Sequence, residues 1–95
     1  MTIYAEIITV GDGNSDTSVR STAQDYNEIL LVSEGKGVFS ADGADYPISA
    51  GSIILIASER KYSISSDEGC RLISVSGSFD KPFLFDGIKL IRDNI

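Results

Sequence analysis

The chain has 95 residues, which sets one domain and room for one modest hydrophobic core. Apolar residues make up 42% of it and the net charge is −6, a globular composition whose sign opposes the phosphate field of a nucleic acid. There is no histidine and a single cysteine, Cys70, which removes the usual general base, the commonest metal ligand, every Ser-His or Cys-His dyad and any intrachain disulfide.

Met1-Thr2-Ile3-Tyr4-Ala5-Glu6 has no basic segment and no long apolar one, so the start does not read as a signal peptide. The longest purely apolar run, Ile53 to Ala57, is too short to span a bilayer, and a cytoplasmic location is expected. Short runs of β-branched and aromatic residues, divided by Gly, Asp, Asn and Ser clusters, predict strands along the chain. Ile3 to Val10 reads as the first, and residues 11–16 as a polar turn. Asp12-Gly13-Asn14-Ser15-Asp16 resembles the opening of a calcium loop, but the sixth and twelfth positions hold Thr17 and Ala23 instead of Gly and Glu, and a β-turn explains the same residues. Ser18 to Tyr26 has no clear period and reads as extended or looped.

Glu28 to Ser33 predicts a strand, ended by Gly35-Lys36-Gly37. Those glycines lead into Val38-Phe39 and not into a helix, so they read as a tight turn and not a phosphate loop. Val38 to Ala41 predicts another strand. Asp42-Gly43 is a two-residue hairpin signal, because both residues tolerate positive φ, and Ala44 to Ile48 returns. After Ser49-Ala50-Gly51, Ser52 to Ile56 is apolar on both faces and predicts a strand between two layers. Lys61 to Ser65, a turn at residues 66–69 and Cys70 to Ser76 complete the series. Cys70 has Arg71 beside it but no base, and reads as a buried strand cysteine. Strands of similar length at regular spacing predict a sandwich or closed barrel. The tail, Phe79 to Ile95, breaks at Lys81-Pro82, offers a last strand at Ile88 to Ile91 and ends on a helix N-cap at Asp93 or Asn94, from which a helical linker in a longer protein is expected.

Glu34-Gly35-Lys36-Gly37-Val38-Phe39, then Asp42-Gly43, Tyr46-Pro47-Ile48 and Gly51-Ser52-Ile53-Ile54-Leu55-Ile56, resemble in order and spacing the heart of a cupin, and most closely the effector-binding domain of AraC-type regulators. The resemblance runs from about Arg20 to Phe79. It implies an all-β fold, a cupin barrel (double-stranded β-helix or jelly roll), as one domain over 1–95 with a tail at 79–95. Metal-binding cupins carry two histidines before a glutamate and a third after a Pro-x-Gly. Here Glu28, seven positions before Gly35, holds the glutamate place. The histidine places fall on Ser21 and Ala23, or on Thr22 and Gln24, and on Tyr62. One carboxylate cannot hold a transition metal against water, so the resemblance implies the fold without metal or other cofactor.

The resemblance further implies a bacterial sensor: a domain that binds a small-molecule effector such as a sugar, forms a homodimer, and passes its state to a DNA-binding domain beyond this chain. This segment itself would bind neither nucleic acid nor membrane, and no catalytic residue is assigned. The alternatives are a standalone metal-free cupin, either an isomerase-like enzyme using Glu28 and Tyr62 as acid and base, or a structural module that only dimerises. Family alignment turns Glu28 and Tyr62 toward the lumen. Alternation adds Leu30 and Ile64, and Arg20 stands where the family often holds an arginine against its ligand. A carboxylate, a phenol and a guanidinium between apolar walls suit a hydroxyl-rich ligand. The same residues also fit an internal Glu28–Arg20 pair in a closed barrel. Ile29 and Leu31 would then face outward, either under a second layer or as a patch for a partner.

Overall fold

The structure is a computed structural model in which residues 2–11, 16–22, 26–78 and 88–91 are described. The regular elements among them are all strands: β1 (Thr2–Val10), β2 (Asp16–Ser21), β3 (Asn27–Ala41), β4 (Ala44–Ser49), β5 (Ile53–Ile56), β6 (Lys61–Ser66), β7 (Cys70–Ser78) and β8 (Ile88–Ile91). Every ladder is antiparallel. One sheet runs β1-β7-β3-β5-β8, while β2 pairs with β6, and β6 and β4 flank the second half of β3.

β3 holds the two sheets together and departs from the sequence reading. Two strands separated by a turn at Gly35-Lys36-Gly37 were expected; the chain instead runs on as one strand of 15 residues. A register shift between Val32 and Glu34 marks a bulge, which bends a strand without ending it. The turn between β4 and β5 grips the bend: Gly51 N donates to Val32 O at 2.9 Å, Val32 N to Ser52 O at 3.0 Å, and Ala50 N to Gly35 O at 3.0 Å. Gly37 then stays in the ladder opposite Ile48. The first half of β3 thus lies between β7 and β5, and the second half between β6 and β4.

The hairpin at Asp42-Gly43 forms as predicted, with φ of 53° and 77°. Ile88–Ile91 is a strand, paired with β5. Two other segments differ. The indeterminate stretch from Ser18 gains its strand from outside: β2, starting already at Asp16, is held by the β6 ladder from Asp16↔Ser66 to Ser21↔Lys61. β5 is not buried on both faces: Ile54 and Ile56 are buried while Ile53 and Leu55 are half-buried, because its outer face carries only partial cover. The calcium-like residues 12–15, the Lys81-Pro82 break and the Asp93/Asn94 cap lie outside the described residues.

Alternation turns Ile8, Val10, Leu30, Val32, Ile54, Ile56 and Leu72 of one sheet toward Phe39, Ala41, Ile48, Tyr62 and Ile64 of the other, and these form one core with Cys70. Each fully buried aliphatic or aromatic side chain contributes about 1.5–3 kcal/mol. Phe39 stacks on Tyr62 with ring centroids 5.3 Å apart, tying the second sheet to the polar end of the core.

Candidate functional site

The inner face changes character along the strands. Leu30, Ile54, Ile64 and Leu72 are apolar and completely buried, whereas one residue-pair further toward one end the same columns present Glu28, Tyr62 and Ser74. Register explains the meeting. Arg20 of β2 stands directly opposite Tyr62 of β6, and Glu6 of β1 opposite Ser74 of β7. Ser74 pairs with Leu30, one inward position from Glu28.

Glu28, buried at 3% exposure, collects three donors. The Tyr62 hydroxyl donates to its Oε1 at 2.5 Å, the Ser74 hydroxyl donates to Oε2, and Arg20 Nη2 reaches Oε2 at 3.4 Å. A buried carboxylate requires such partners, because an unpaired one would cost several kcal/mol. Arg20 also donates from Nε to the Tyr62 oxygen at 3.0 Å and from Nη2 to Glu6 Oε1 at 2.5 Å. Its side chain keeps 25% exposure and that of Glu6 57%, so this pair marks where the network reaches solvent. Beside it, Tyr4 of β1 stacks on Tyr26 at 5.8 Å.

The environment fixes two protonation states. Burial, reinforced by the hydrogen bond to Glu28, pushes the Tyr62 phenol well above its ordinary range, with Arg20 opposing. Burial pulls the Arg20 guanidinium down, but its bonds to Glu6 and Tyr62 and the charge of Glu28 outweigh that, and it holds its proton more tightly than usual. At neutral pH the network is therefore a cation between two carboxyl groups, joined through a neutral phenol.

Of the residues singled out in the sequence, Arg20, Glu28 and Tyr62 meet in this network. Leu30 and Ile64 sit behind it in the core. Glu6 and Ser74 were missed. Alternation of Glu6 with Ile8 and Val10 signals the inner face, but no sequence feature sets the β1–β7 register that brings it to Arg20. Cys70 is buried as expected, and burial raises its thiol against a hydrogen bond from Ser66 that lowers it.

The cupin metal places do not fit a transition metal. The Thr22 hydroxyl donates to Ala57 O at 2.8 Å and accepts from Arg60 N at 2.7 Å, Tyr62 is committed to Glu28, and no three acidic, Cys or His side chains converge among the described residues. Ala23 and Gln24 lie outside those residues. A cleft of about 460 Å³ opens at the other end of β6, lined by Lys36, Val38, Pro47, Ile48, Ser65 and Glu68 among others. It lacks converging buried polar groups, so we place the candidate site at the network and not at this cleft.

The sequence profile of the AraC-like ligand binding domain matches residues 6–81. The chain belongs to this family. No curated protein sequence matches it. Among solved structures, an AraC-like ligand binding domain of this shape resembles a cupin protein from Bacteroides fragilis (TM-score 0.69, 25% identity, 92% of this chain and 77% of that one). It also resembles ToxT from Vibrio cholerae with an unsaturated fatty acid bound (0.68, 15%, 95% and 40%) and an ethanolamine utilization protein Q from Salmonella typhimurium LT2 (0.67, 17%, 82% and 59%). The fold is thus the cupin fold. The chain spans about three fifths of the ethanolamine utilization protein and two fifths of ToxT. No helix among the described residues is long and apolar enough to cross a membrane.

Proposed function

We propose that this AraC-like ligand binding domain is the non-catalytic, metal-free sensor of a bacterial, cytoplasmic transcription regulator, that it binds a hydroxyl-rich small molecule such as a sugar, that a second copy pairs with it, and that DNA is contacted by a separate domain. One observation carries the reading: a buried carboxylate, Glu28, is wired through Tyr62 and Arg20 to a surface pair with Glu6. Hydroxyl groups that exchange with Glu6 on Arg20 would act on a network that ends in the core. A proton-transfer enzyme fits less well, since Glu28 and Tyr62 are bonded to each other and neither is left to act on a substrate. The saturation of Glu28 favours a second reading, a closed structural module with no effector.

Thermal unfolding in the presence of monosaccharides and, because ToxT holds one, unsaturated fatty acids tests the proposal. A sugar at about 100 times its Kd adds about 2.7 kcal/mol of stability. Tyr62→Phe should then weaken its binding by about 0.5–1.5 kcal/mol, and Glu28→Gln should weaken it too. Stabilisation by fatty acids only would overturn the ligand class. Equal binding by both variants and the parent would overturn the site, and no response to any effector library would leave the structural module.

A further inference from the structure

The buried end of the Glu28 network is tightly held, but its solvent end is not. Two bonds of the Arg20 guanidinium point inward, from Nε to the Tyr62 oxygen at 3.0 Å and from Nη2 to Glu28 Oε2 at 3.4 Å. Its outer partner, Glu6, is bonded through one carboxylate oxygen and is 57% exposed. An ion pair so open to water contributes little to stability, so Glu6 can leave Arg20 without unfolding the chain. An aromatic surface adjoins this exchangeable pair. Alternation along β1 turns Tyr4 to the same face as Glu6, in line with Ser76 and Ser74 of β7. Tyr4 is 55% exposed and stacks on Tyr26 with an interplanar angle of 29°, and the two hydroxyls are hydrogen-bonded to each other.

We infer that the effector is a sugar acid, whose carboxylate takes the place of Glu6 on Arg20 and whose ring lies on the Tyr4–Tyr26 pair. The inference rests on the proposed function and narrows its ligand class by charge. Any ligand that reaches Arg20 from solvent must break the bond to Glu6. A neutral hydroxyl returns only a dipole for the charge it removes, whereas a carboxylate restores an ion pair of the same kind and frees Glu6 to be hydrated. A cationic ligand would have to draw Glu6 away and would then face the Arg20 guanidinium, which its inward bonds keep in place. The exchangeable group is thus the anion and not the cation. Size agrees with this assignment. Tyr4 and Glu6 lie two residues apart on one strand, about 6.7 Å, a distance that a six-membered sugar ring and its exocyclic carboxylate cover. The tyrosine rings offer the apolar face of such a ring a flat surface, and their hydroxyls offer its hydroxyl groups hydrogen bonds. Glu6 then acts as a built-in competitor that holds Arg20 in place until an effector carboxylate replaces it.

Calorimetric titration of the full chain at neutral pH tests it, with glucose, galactose and mannose each set against its uronic acid, and with glucosamine as the cationic counterpart. At least one uronic acid should bind about tenfold or more tightly than its parent hexose, and glucosamine should bind no better than glucose. Glu6→Gln keeps the shape and removes the competing charge, so it should bind that acid about two- to fivefold more tightly and leave the hexose unchanged. Tyr4→Ala, at an exposed position, should weaken the acid about two- to tenfold. A hexose that binds as tightly as its acid, or glucosamine that binds more tightly than glucuronate, overturns the inference and leaves the proposed sugar sensor standing. A Glu6→Gln variant that binds the acid no better than the parent also overturns it, since a purely structural role for Glu6 would not raise affinity for an anion. Unchanged binding by Tyr4→Ala overturns the placement of the ring. Absence of binding by every neutral, acidic and amino sugar overturns both this inference and the proposed ligand class.

Discussion

Tyr62 joins the two sheets chemically as well as sterically: its ring stacks on Phe39 while its hydroxyl donates to Glu28 and accepts from Arg20. Removing that hydroxyl leaves a buried carboxylate one donor short and Arg20 Nε without its acceptor. Tyr62→Phe should therefore cost about 1–3 kcal/mol of stability at neutral pH, measured by urea unfolding. The phenol also sets an alkaline limit. Its folded pKa lies above the ordinary 10.0, so folded and unfolded chains both hold the proton below that value and stability is intact. Above it, the unfolded chain releases the proton while the folded one keeps it, and stability falls by up to about 1.4 kcal/mol per pH unit until the folded phenol ionises too. The difference between the parent and Tyr62→Phe in urea midpoint should shrink from pH 9 upward. A constant difference to about pH 11, roughly one unit above the unfolded phenol's pKa, would show that the hydroxyl is not held as described.

At the scale of the strands, faces were legible and pairings were not. The alternation of Glu28, Leu30 and Val32 with Ile29 and Leu31 gives the inner and outer sides of β3 directly, and two residues tolerant of positive φ mark the hairpin at Asp42-Gly43. A period of two says nothing about which strand lies alongside. Hence Arg20, Glu28 and Tyr62 were found through family spacing, while Glu6 and Ser74, which depend on the β1–β7 register, were not. The continuity of β3 was illegible for the same reason: its glycines resemble a turn, and what carries the strand through them comes from residues 49–52 and from the distant Gly69. Two glycine substitutions separate local from non-local causes. At Gly43 (φ +77°) an added Cβ meets open space, so Gly43→Ala should cost only the backbone strain, about 1–2 kcal/mol. At Gly35 (φ +78°) the Cβ would lie 2.1 Å from the Gly69 carbonyl oxygen, so Gly35→Ala adds a displacement of backbone and should cost about 3–5 kcal/mol. Equal denaturation midpoints for the two variants would mean that the bend does not depend on this close approach.

For the whole molecule the deciding quantity is charge. Fourteen carboxylate side chains face eight basic ones, giving −6. Several of the bases are already engaged: Arg20 with Glu6 and Glu28, Lys36 with Glu68, Arg71 with Glu34. Duplex binding needs unopposed Lys and Arg to displace counterions from phosphates, and sequence readout in the major groove usually needs a helix or a two-stranded ribbon carrying them. Among the described residues there is no helix, and Arg60-Lys61 is the only adjacent basic pair in the sequence. This chain should accordingly show no retention of a labelled DNA duplex in anisotropy titrations to about 10 µM protein at about 50 mM salt, conditions that favour phosphate contacts. Submicromolar binding that weakens as salt rises would overturn the expectation, and the slope of log affinity against log salt would count the phosphates touched. If binding is absent, a regulator containing this domain must take its DNA affinity from another part of the polypeptide.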